Sequence, residues 1–193
     1  MSDTPREDAG FRPERLLAFS DGMFAIIITI MVLELKAPHS AEPAALLENW
    51  PKFAIYALSF LQAGIYWVNH HALFADAKRV NSRILWLNLL LLFFLSFIPF
   101  ASAYAGESEF AHFPTALYAL VMLLPALTWT ALHPAIAAIN PGEGEVTRAA
   151  QIKGYIALAL YVAAIPLGYV NPFISLGLIL IVAVMYFLPT RFF

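Results

Sequence analysis

The sequence predicts an all-α integral membrane protein with six spanning helices, and three observations lead to this fold class. Of its 193 residues, 61% are hydrophobic and only 12% are charged, whereas a soluble domain has about 25% charged residues. The apolar residues fall into six runs, each close to the roughly 20 residues that a spanning helix needs. The Lys and Arg residues concentrate on alternate sides of these runs. A chain this short could not bury so much apolar surface by itself, so lipid must act as part of its solvent.

The six predicted spans are joined by short connections. They are Leu16 to Leu35, Phe53 to Phe74, Ile84 to Tyr104, Phe113 to Leu132, Ile152 to Val170 and Pro172 to Leu188. The dipeptide Asn171-Pro172 predicts a tight turn between the last two, which together are too long for one span. Membrane helices tolerate proline, so four prolines within or near the spans predict kinks. These are Pro99, Pro125, Pro134 and Pro166.

The basic residues predict the orientation of the chain. Nine fall on one side of the six spans and two on the other. The nine are Arg6, Arg12, Arg15, Lys78, Arg79, Arg83, Arg148, Lys153 and Arg191, and the two are Lys36 and Lys52. Because short loops rich in positive charge stay inside, both termini are predicted to be cytoplasmic, in a multi-pass protein of the cell membrane. Residues 1–13 are predicted to be a disordered cytoplasmic tail, and residues 14–193 a single transmembrane domain.

The sequence excludes several kinds of site. The chain has no cysteine, so disulfides, thiolate nucleophiles and Cys-based metal sites are ruled out. It has no phosphate-binding glycine motif and no basic–aromatic patch for nucleic acid. Two adjacent histidines on a helix point about 100° apart, and no His-x3-His pair occurs, so no metal site is predicted. We therefore expect no enzyme, no cofactor and no small-molecule substrate.

Asp21 is an acidic residue about 7–8 Å into the first span. A charge within a span costs roughly 2.5–3.5 kcal/mol and tends to face the bundle interior beside a partner. The alternating orientation places the end of the second span and the start of the third at the same depth. The predicted network joins Ser20 and Asp21 to Trp67, to Asn88 and to one of His70 and His71. Such a network either holds three helices together or relays protons between Asp21 and a histidine.

A second face of the first span carries apolar and small residues. They lie within about 100° of arc on a helix, with Asp21 outside that arc, and they are Gly22, Ile26, Thr29, Ile30 and Leu33. This face predicts either contact with lipid or other helices, or a hydrophobic constriction that gates a pore by dewetting. A single six-helix chain offers no polar conduit, so a pore would need several copies.

Three segments carry a family resemblance. They are Arg15-Leu-Leu-Ala-Phe-Ser-Asp21, Tyr66-Trp-Val-Asn-His-His71 followed by Leu73-Phe74, and Arg83-Ile-Leu-Trp-Leu-Asn88 followed by a Leu/Phe run to Pro99-Phe100. The first resembles the Arg-x-x-x-Phe-Ser-Asp signature of the transmembrane protein 175 family, the endolysosomal potassium channel and its bacterial homologues. The other two resemble parts of that family's second and third helices. The single set of six helices is similar to the bacterial form.

The resemblance implies a potassium-selective, leak-type channel, a homotetramer with its first helices around a central pore and K⁺ as the permeant ion. The family's constriction is made by large aliphatic residues, which match Ile26, Ile30 and Leu33, and Thr29 matches a position linked to potassium preference. The remaining matched residues would be structural, and they are Arg15, Phe19, Ser20, Asp21, Trp67, His70, His71 and Asn88. No carbonyl-lined filter segment of the TVGYG type is present.

Other functions remain open from the residues themselves. A proton-coupled transporter or a proton-conducting channel would use Asp21 with His70 or His71. A membrane enzyme would need clustered carboxylates or a nucleophile beside a base, and the sequence has neither. A structural or assembly subunit would pass no current.

Overall fold

The computed structural model describes residues 12–75, 77–140 and 148–187, and every regular element in these ranges is a helix. The helices are α1 (Pro13–Leu33), α2 (Pro43–Glu48), α3 (Trp50–Ala75), α4 (Ser82–Leu95), α5 (Ile98–Glu107), α6 (His112–Ile139), α7 (Arg148–Val170) and α8 (Pro172–Phe187). The predicted tail falls largely on residues 1–11, which lie outside the described residues. Helix α1 starts at Pro13, one position before the predicted domain boundary.

Local sequence explains where several helices begin. Pro13 and Pro172 are the first residues of α1 and α8, where the missing proline N–H would have no helical partner anyway. The predicted turn before α8 is confirmed, and Asn171 Oδ1 accepts a hydrogen bond from Phe173 N at 2.9 Å. Asn81 caps α4 by accepting from Ile84 N at 3.0 Å. These caps satisfy backbone groups that a helix end leaves unpaired.

Among the described residues, four helical segments are long and apolar enough to cross a membrane. They are α1, residues 82–107 (α4 and α5 together), α6 and α7. Helix α8 has only 16 described residues. Helix α3 has 26 residues but is not among the four, since Gln62, Asn69, His70 and His71 make it more polar.

The third predicted span breaks next to Pro99, where a kink was predicted: α4 ends at Leu95 and α5 starts at Ile98. The hydroxyl of Ser96 there donates to Phe93 O at 2.7 Å, and Pro99 has no N–H to continue the ladder. The prolines in α6 and α7, by contrast, lie inside uninterrupted helices. The six-residue helix α2, which has no buried residue, was not predicted.

The helices run up and down between two ends. At one end, the Phe110 ring packs against the rings of Trp50 and Phe173, with centroids 5.5 and 5.8 Å apart. Near the same end, Lys36 lies 4.0 Å from Glu107. The other end, which we call the basic end, carries the start of α1, the α3–α4 connection and the start of α7. The described basic residues located there are Arg12, Arg15, Lys78, Arg79, Arg83, Arg148 and Lys153.

Close approaches hold the helices of the bundle against one another. A Cβ added at Gly168 of α7 would lie 3.1 Å from Ala116 N and 3.2 Å from Ala116 Cα in α6. Lipid is as apolar as a leucine side chain, so burying apolar side chains between helices gains little in a membrane. Close packing and polar hydrogen bonds therefore provide most of the attraction between the helices. Helix α1 packs against α3, α4 and α5 and is therefore supported from one side.

Candidate functional site on the first helix

One face of α1 is bonded into the interior of the bundle through a chain of polar side chains. Ser20, His70 and Asn88 are 0%, 1% and 3% exposed. Asn88 Nδ2 donates to Ser20 Oγ at 3.0 Å, and Asn88 Oδ1 lies 2.7 Å from His70 Nε2. The three residues belong to α1, α3 and α4. This chain of hydrogen bonds therefore ties α1 to α3 and α4, the two helices that support it at this depth.

The hydrogen bonds among His70, Asn88 and Ser20 all donate in one direction, from His70 toward Ser20. The hydroxyl of Ser20 donates to Leu16 O at 2.8 Å, so its oxygen accepts from the amide of Asn88. The other amide atom, Asn88 Oδ1, is then an acceptor, and His70 Nε2 must be the donor. This leaves Nδ1 of His70 as the ring's second nitrogen, and it has no hydrogen-bond partner among the described residues.

Two aromatic rings enclose His70. The Phe24 ring meets it edge-on with centroids 5.7 Å apart, and the Phe74 ring lies 4.7 Å away. Both phenylalanines are buried, at 2% and 1% exposure. The imidazole is thus packed among apolar groups, which suits a neutral side chain that holds helices together.

Asp21 does not join this chain. Its Oδ1 accepts a hydrogen bond from Trp67 Nε1 at 2.9 Å, and both residues are exposed in the single chain. His71 lies beside Trp67 with ring centroids 6.4 Å apart. Part of the sequence expectation is therefore corrected: the polar residues form two separate sets, and Asp21 lies at the edge of the bundle. Ser20 and Asp21 are adjacent, so they point about 100° apart and only one can face inward.

The stripe predicted on α1 is not covered by the chain's own helices. Ile26, Ile30 and Leu33 are 52%, 42% and 75% exposed. Gly22 and Thr29 are exposed as well. The buried residues of α1 repeat every three or four positions on the opposite side, and they are Pro13, Leu16, Ser20, Phe24, Ile27 and Met31. Helix α1 therefore has one face that the bundle supports and one that is free to meet another molecule.

Thr29 is the polar member of the stripe. Its hydroxyl donates to Ile26 O at 2.9 Å. Because the hydrogen is used within the helix, the oxygen lone pairs remain available for a cation or a water molecule.

The other two signature residues lie on exposed surface. Phe19 is 54% exposed, and Arg15 is exposed near the start of α1. Both lie near the basic end, outside the buried chain of Ser20, Asn88 and His70.

An apolar groove runs beside the Asp21–Trp67 pair. It has a volume of about 800 Å³ and lies between α1, α3 and α8. Phe24 and Ile28 line it from α1, and Phe60 and Gly64 line it from α3. The groove and the stripe together leave α1 with an extended apolar surface that the described residues do not cover.

The sequence reasoning missed a polar residue at the middle of α3. Gln62 is 1% exposed; its Nε2 donates to Ile179 O at 3.0 Å, and its Oε1 accepts from Tyr161 Oη at 3.1 Å. These bonds join α3 to α7 and α8. The depth argument applied to Asp21 would have found it, since an amide in the middle of a span also needs partners.

The acidic and imidazole groups do not gather into a metal site. Within residues 12–75, 77–140 and 148–187, no group of three or more His, Asp or Glu side chains could hold a metal ion.

Comparison with known proteins gives a consistent match. The family described as endosomal/lysosomal potassium channel TMEM175 matches residues 15–99. The chain is 42% identical over 179 residues to a potassium channel of Chryseobacterium sp. (strain P1-3), covering 92% of this chain and 93% of the relative. It is 34% identical over 113 residues to the human endosomal/lysosomal proton channel TMEM175, covering 52% of this chain and 22% of the human protein.

A solved structure matches the fold over nearly its whole length. It is the crystal structure of a lysosomal potassium-selective channel TMEM175 homologue from Chamaesiphon minutus, with a TM-score of 0.81 and 30% identity. The match covers 92% of this chain and 97% of that one. The segments that carry the sequence resemblance thus lie on α1, α3 and α4 in a shared architecture. This chain belongs to the TMEM175 family, a family of multi-pass membrane ion channels and not of enzymes.

Proposed function

We propose that this protein is a potassium-selective, leak-type channel of the cell membrane. It assembles as a homotetramer in which four copies of α1 surround a central pore, and K⁺ is the only ion or cofactor that it needs to bind. One observation carries the proposal: Ile26, Ile30 and Leu33 lie exposed along a single face of α1, opposite the face that the bundle holds. The names of the bacterial relatives support the choice of potassium.

Six spans with both termini in the cytoplasm are part of the proposal. Helix α3 has 26 residues and would extend about 39 Å at 1.5 Å per residue, enough to span a bilayer. Helix α8 runs antiparallel to α7 after a one-residue turn, and residues beyond 187 lie outside the described range. The clustering of basic residues at one end supports a cytoplasmic location for that end.

The exposed stripe supports a pore constriction. Ile26 and Ile30 are one helical turn apart, and rings of such side chains around an axis would form a narrow apolar passage. Because aliphatic groups cannot replace an ion's water shell, this passage favours the cation that loses water more easily. The outward lone pairs of Thr29 would offer an oxygen ligand between the two isoleucine rings.

The supporting residues keep α1 in place beneath this passage. The buried chain from His70 through Asn88 to Ser20 holds α1 to α3 and α4, and the Asp21–Trp67 bond holds its edge. We assign a structural role to these residues and to Arg15, Phe19 and His71.

The test is ion flux through the purified protein in planar bilayers under a potassium/sodium gradient. We expect a current beyond transporter turnover rates that reverses near the potassium equilibrium potential. Ile26→Ala widens the constriction, so it should raise conductance and lower the potassium-to-sodium permeability ratio several-fold. Ile181→Ala is the matched control, since Ile181 on α8 is 53% exposed and Ile26 is 52% exposed. A bilayer that stays silent across voltage and pH would sink the proposal.

Proton conduction is the second candidate function, favoured by the name of the human relative. A relay between Asp21 and His70 is not supported by the hydrogen bonds, because Asp21 bonds to Trp67 and His70 bonds to Asn88. His71 lies beside Trp67 through its ring, with centroids 6.4 Å apart. Protons would more readily follow water in the central pore. A pH gradient imposed at symmetrical potassium would reveal a proton current as a shift of the reversal potential.

A further inference from the structure

The α3–α4 connection is locked to the end of α6 by one side chain. Asn140 is 6% exposed and follows the last residue of α6. Its Oδ1 accepts from Lys78 N at 3.0 Å and from Arg79 N at 3.1 Å. Its Nδ2 donates to Arg79 O at 3.1 Å and to Ile136 O at 3.0 Å. All four hydrogen-bonding positions of the amide are therefore used.

Only an asparagine fits these four bonds. An aspartate could accept from the two N–H groups but has no hydrogens for the two carbonyls. A glutamine is one methylene longer and would displace the connection. Val80, which is 0% exposed, anchors the same segment by packing, and Asn81 caps α4 directly after it. Residues 78–81 of the connection are thus held at consecutive positions.

The locked connection joins α3 and α4, which are two of the helices that support α1. His70 on α3 and Asn88 on α4 are 18 residues apart in the chain, yet their side chains meet at 2.7 Å. The axial height of α3 relative to α4 decides whether that contact forms. The connection between α3 and α4 sets this height. The bonds of Asn140 fix the connection relative to α6, which packs against α4.

We propose that Asn140 is a positioning residue for the pore helix. It holds the α3–α4 connection so that Asn88 stays within bonding distance of both His70 and Ser20, and thereby keeps α1 at a fixed height in the pore. This inference rests on the proposed function, in which α1 lines the conduction path.

The test compares the purified full-length wild type with Asn140→Ala, Asn140→Asp and the control Asn49→Ala. Asn49 also donates to a backbone carbonyl, Ala45 O at 2.8 Å, but at the opposite end of the bundle. In Asn140→Ala we expect hydrogen exchange at the amides of Lys78 and Arg79 to rise about tenfold or more, because both lose their acceptor. We also expect faster exchange across residues 16–24 of α1 and a lower potassium-to-sodium permeability ratio. Asn49→Ala should change none of these.

A double variant separates positioning from simple anchoring. If Asn140 acts through Asn88, then Asn140→Ala should change the permeability ratio little in an Asn88→Ala background. Fully additive effects, or faster exchange at Lys78 and Arg79 with unchanged exchange in α1, would overturn the proposal. If Asn140→Ala does not fold, Asn140→Asp replaces it, because it loses only the two donated bonds to Arg79 O and Ile136 O. Exchange in α1 and the permeability ratio should then change in the same directions, while the amides of Lys78 and Arg79 keep their acceptor and stay protected. If the wild type passes no current, the proposed function fails, while exchange in α1 still decides the role of Asn140.

Discussion

The side-chain amide of Asn88 donates to the hydroxyl of Ser20 at 3.0 Å, and this contact fastens α1 to α4 inside the bundle. The same amide accepts from His70 on α3. A single residue thereby connects the three helices that carry the family's matched segments. The proposed pore face of α1 lies on the opposite side of the helix. Its position therefore depends on the Ser20–Asn88–His70 hydrogen bonds, although none of the pore-face residues contacts them.

Replacing Asn88 with alanine should destabilise the protein. The change breaks two interhelical bonds and leaves the buried N–H of His70 without an acceptor, a loss of about 2 kcal/mol. Asn69→Ala is the control, since among the described residues the amide of Asn69 bonds only within its own helix, to Ile65 O at 2.7 Å. Thermal unfolding in detergent, followed by circular dichroism, measures the difference. Equal stability of the two variants would contradict the assignment of Asn88 as a tie between helices.

Asp21→Asn and Asp21→Ala should behave differently. Asparagine keeps an oxygen that can accept from Trp67 Nε1, whereas alanine removes the acceptor. We therefore expect Asp21→Asn to conduct nearly as the wild type does and Asp21→Ala to conduct poorly. Trp67→Phe, which keeps a ring but removes the donor, should resemble Asp21→Ala. If instead Asp21→Asn abolishes current or proton flux, the charge of Asp21 takes part in conduction and the structural role is wrong.

Thr29→Val should lower selectivity without closing the pore. Valine has nearly the same shape as threonine but offers no oxygen to a cation. The expected result is a several-fold lower potassium-to-sodium permeability ratio with the conductance largely kept. Thr130→Val is a close control, because the Thr130 hydroxyl also bonds to the carbonyl three residues before it, Leu127 O at 2.7 Å, and lies on α6. Reversal potentials under bi-ionic conditions give the ratio, and an unchanged ratio for Thr29→Val would remove Thr29 from the selectivity site.

Gly168→Ala should push α6 and α7 apart. The added Cβ would lie 3.1–3.3 Å from backbone and side-chain atoms of Ala116, and overpacking of this kind costs about 1–3 kcal/mol. Gly177→Ala provides the control, since a Cβ there meets no atom within 4 Å. Denaturation midpoints in the same detergent compare the two, and a Gly168→Ala variant as stable as the wild type would show that the two helices can shift at no cost.

The helices and the two faces of α1 were accessible from the sequence because they depend on local spacing. Apolar runs of about 20 residues mark spans, and the 3.6-residue period separates Ser20 and Phe24 from Ile26 and Ile30. The alternation of basic residues also predicted which helix ends lie together. The prolines predicted kinks, but the sequence did not show which of them would interrupt a helix. Helix α4 ends before Pro99, whereas Pro125, Pro134 and Pro166 lie inside continuous helices.

The choice of partner for each polar side chain was decided by the tertiary structure. Asp21 bonds to Trp67, 46 residues away, whereas the adjacent Ser20 bonds to Asn88, 68 residues away. Gln62 reaches Ile179, and Asn140 reaches Arg79, across 117 and 61 residues. The depth of a residue in the membrane limits which polar groups could be its partners, but several polar groups share each depth. Neighbouring residues on a helix point about 100° apart, and this direction decides which groups meet.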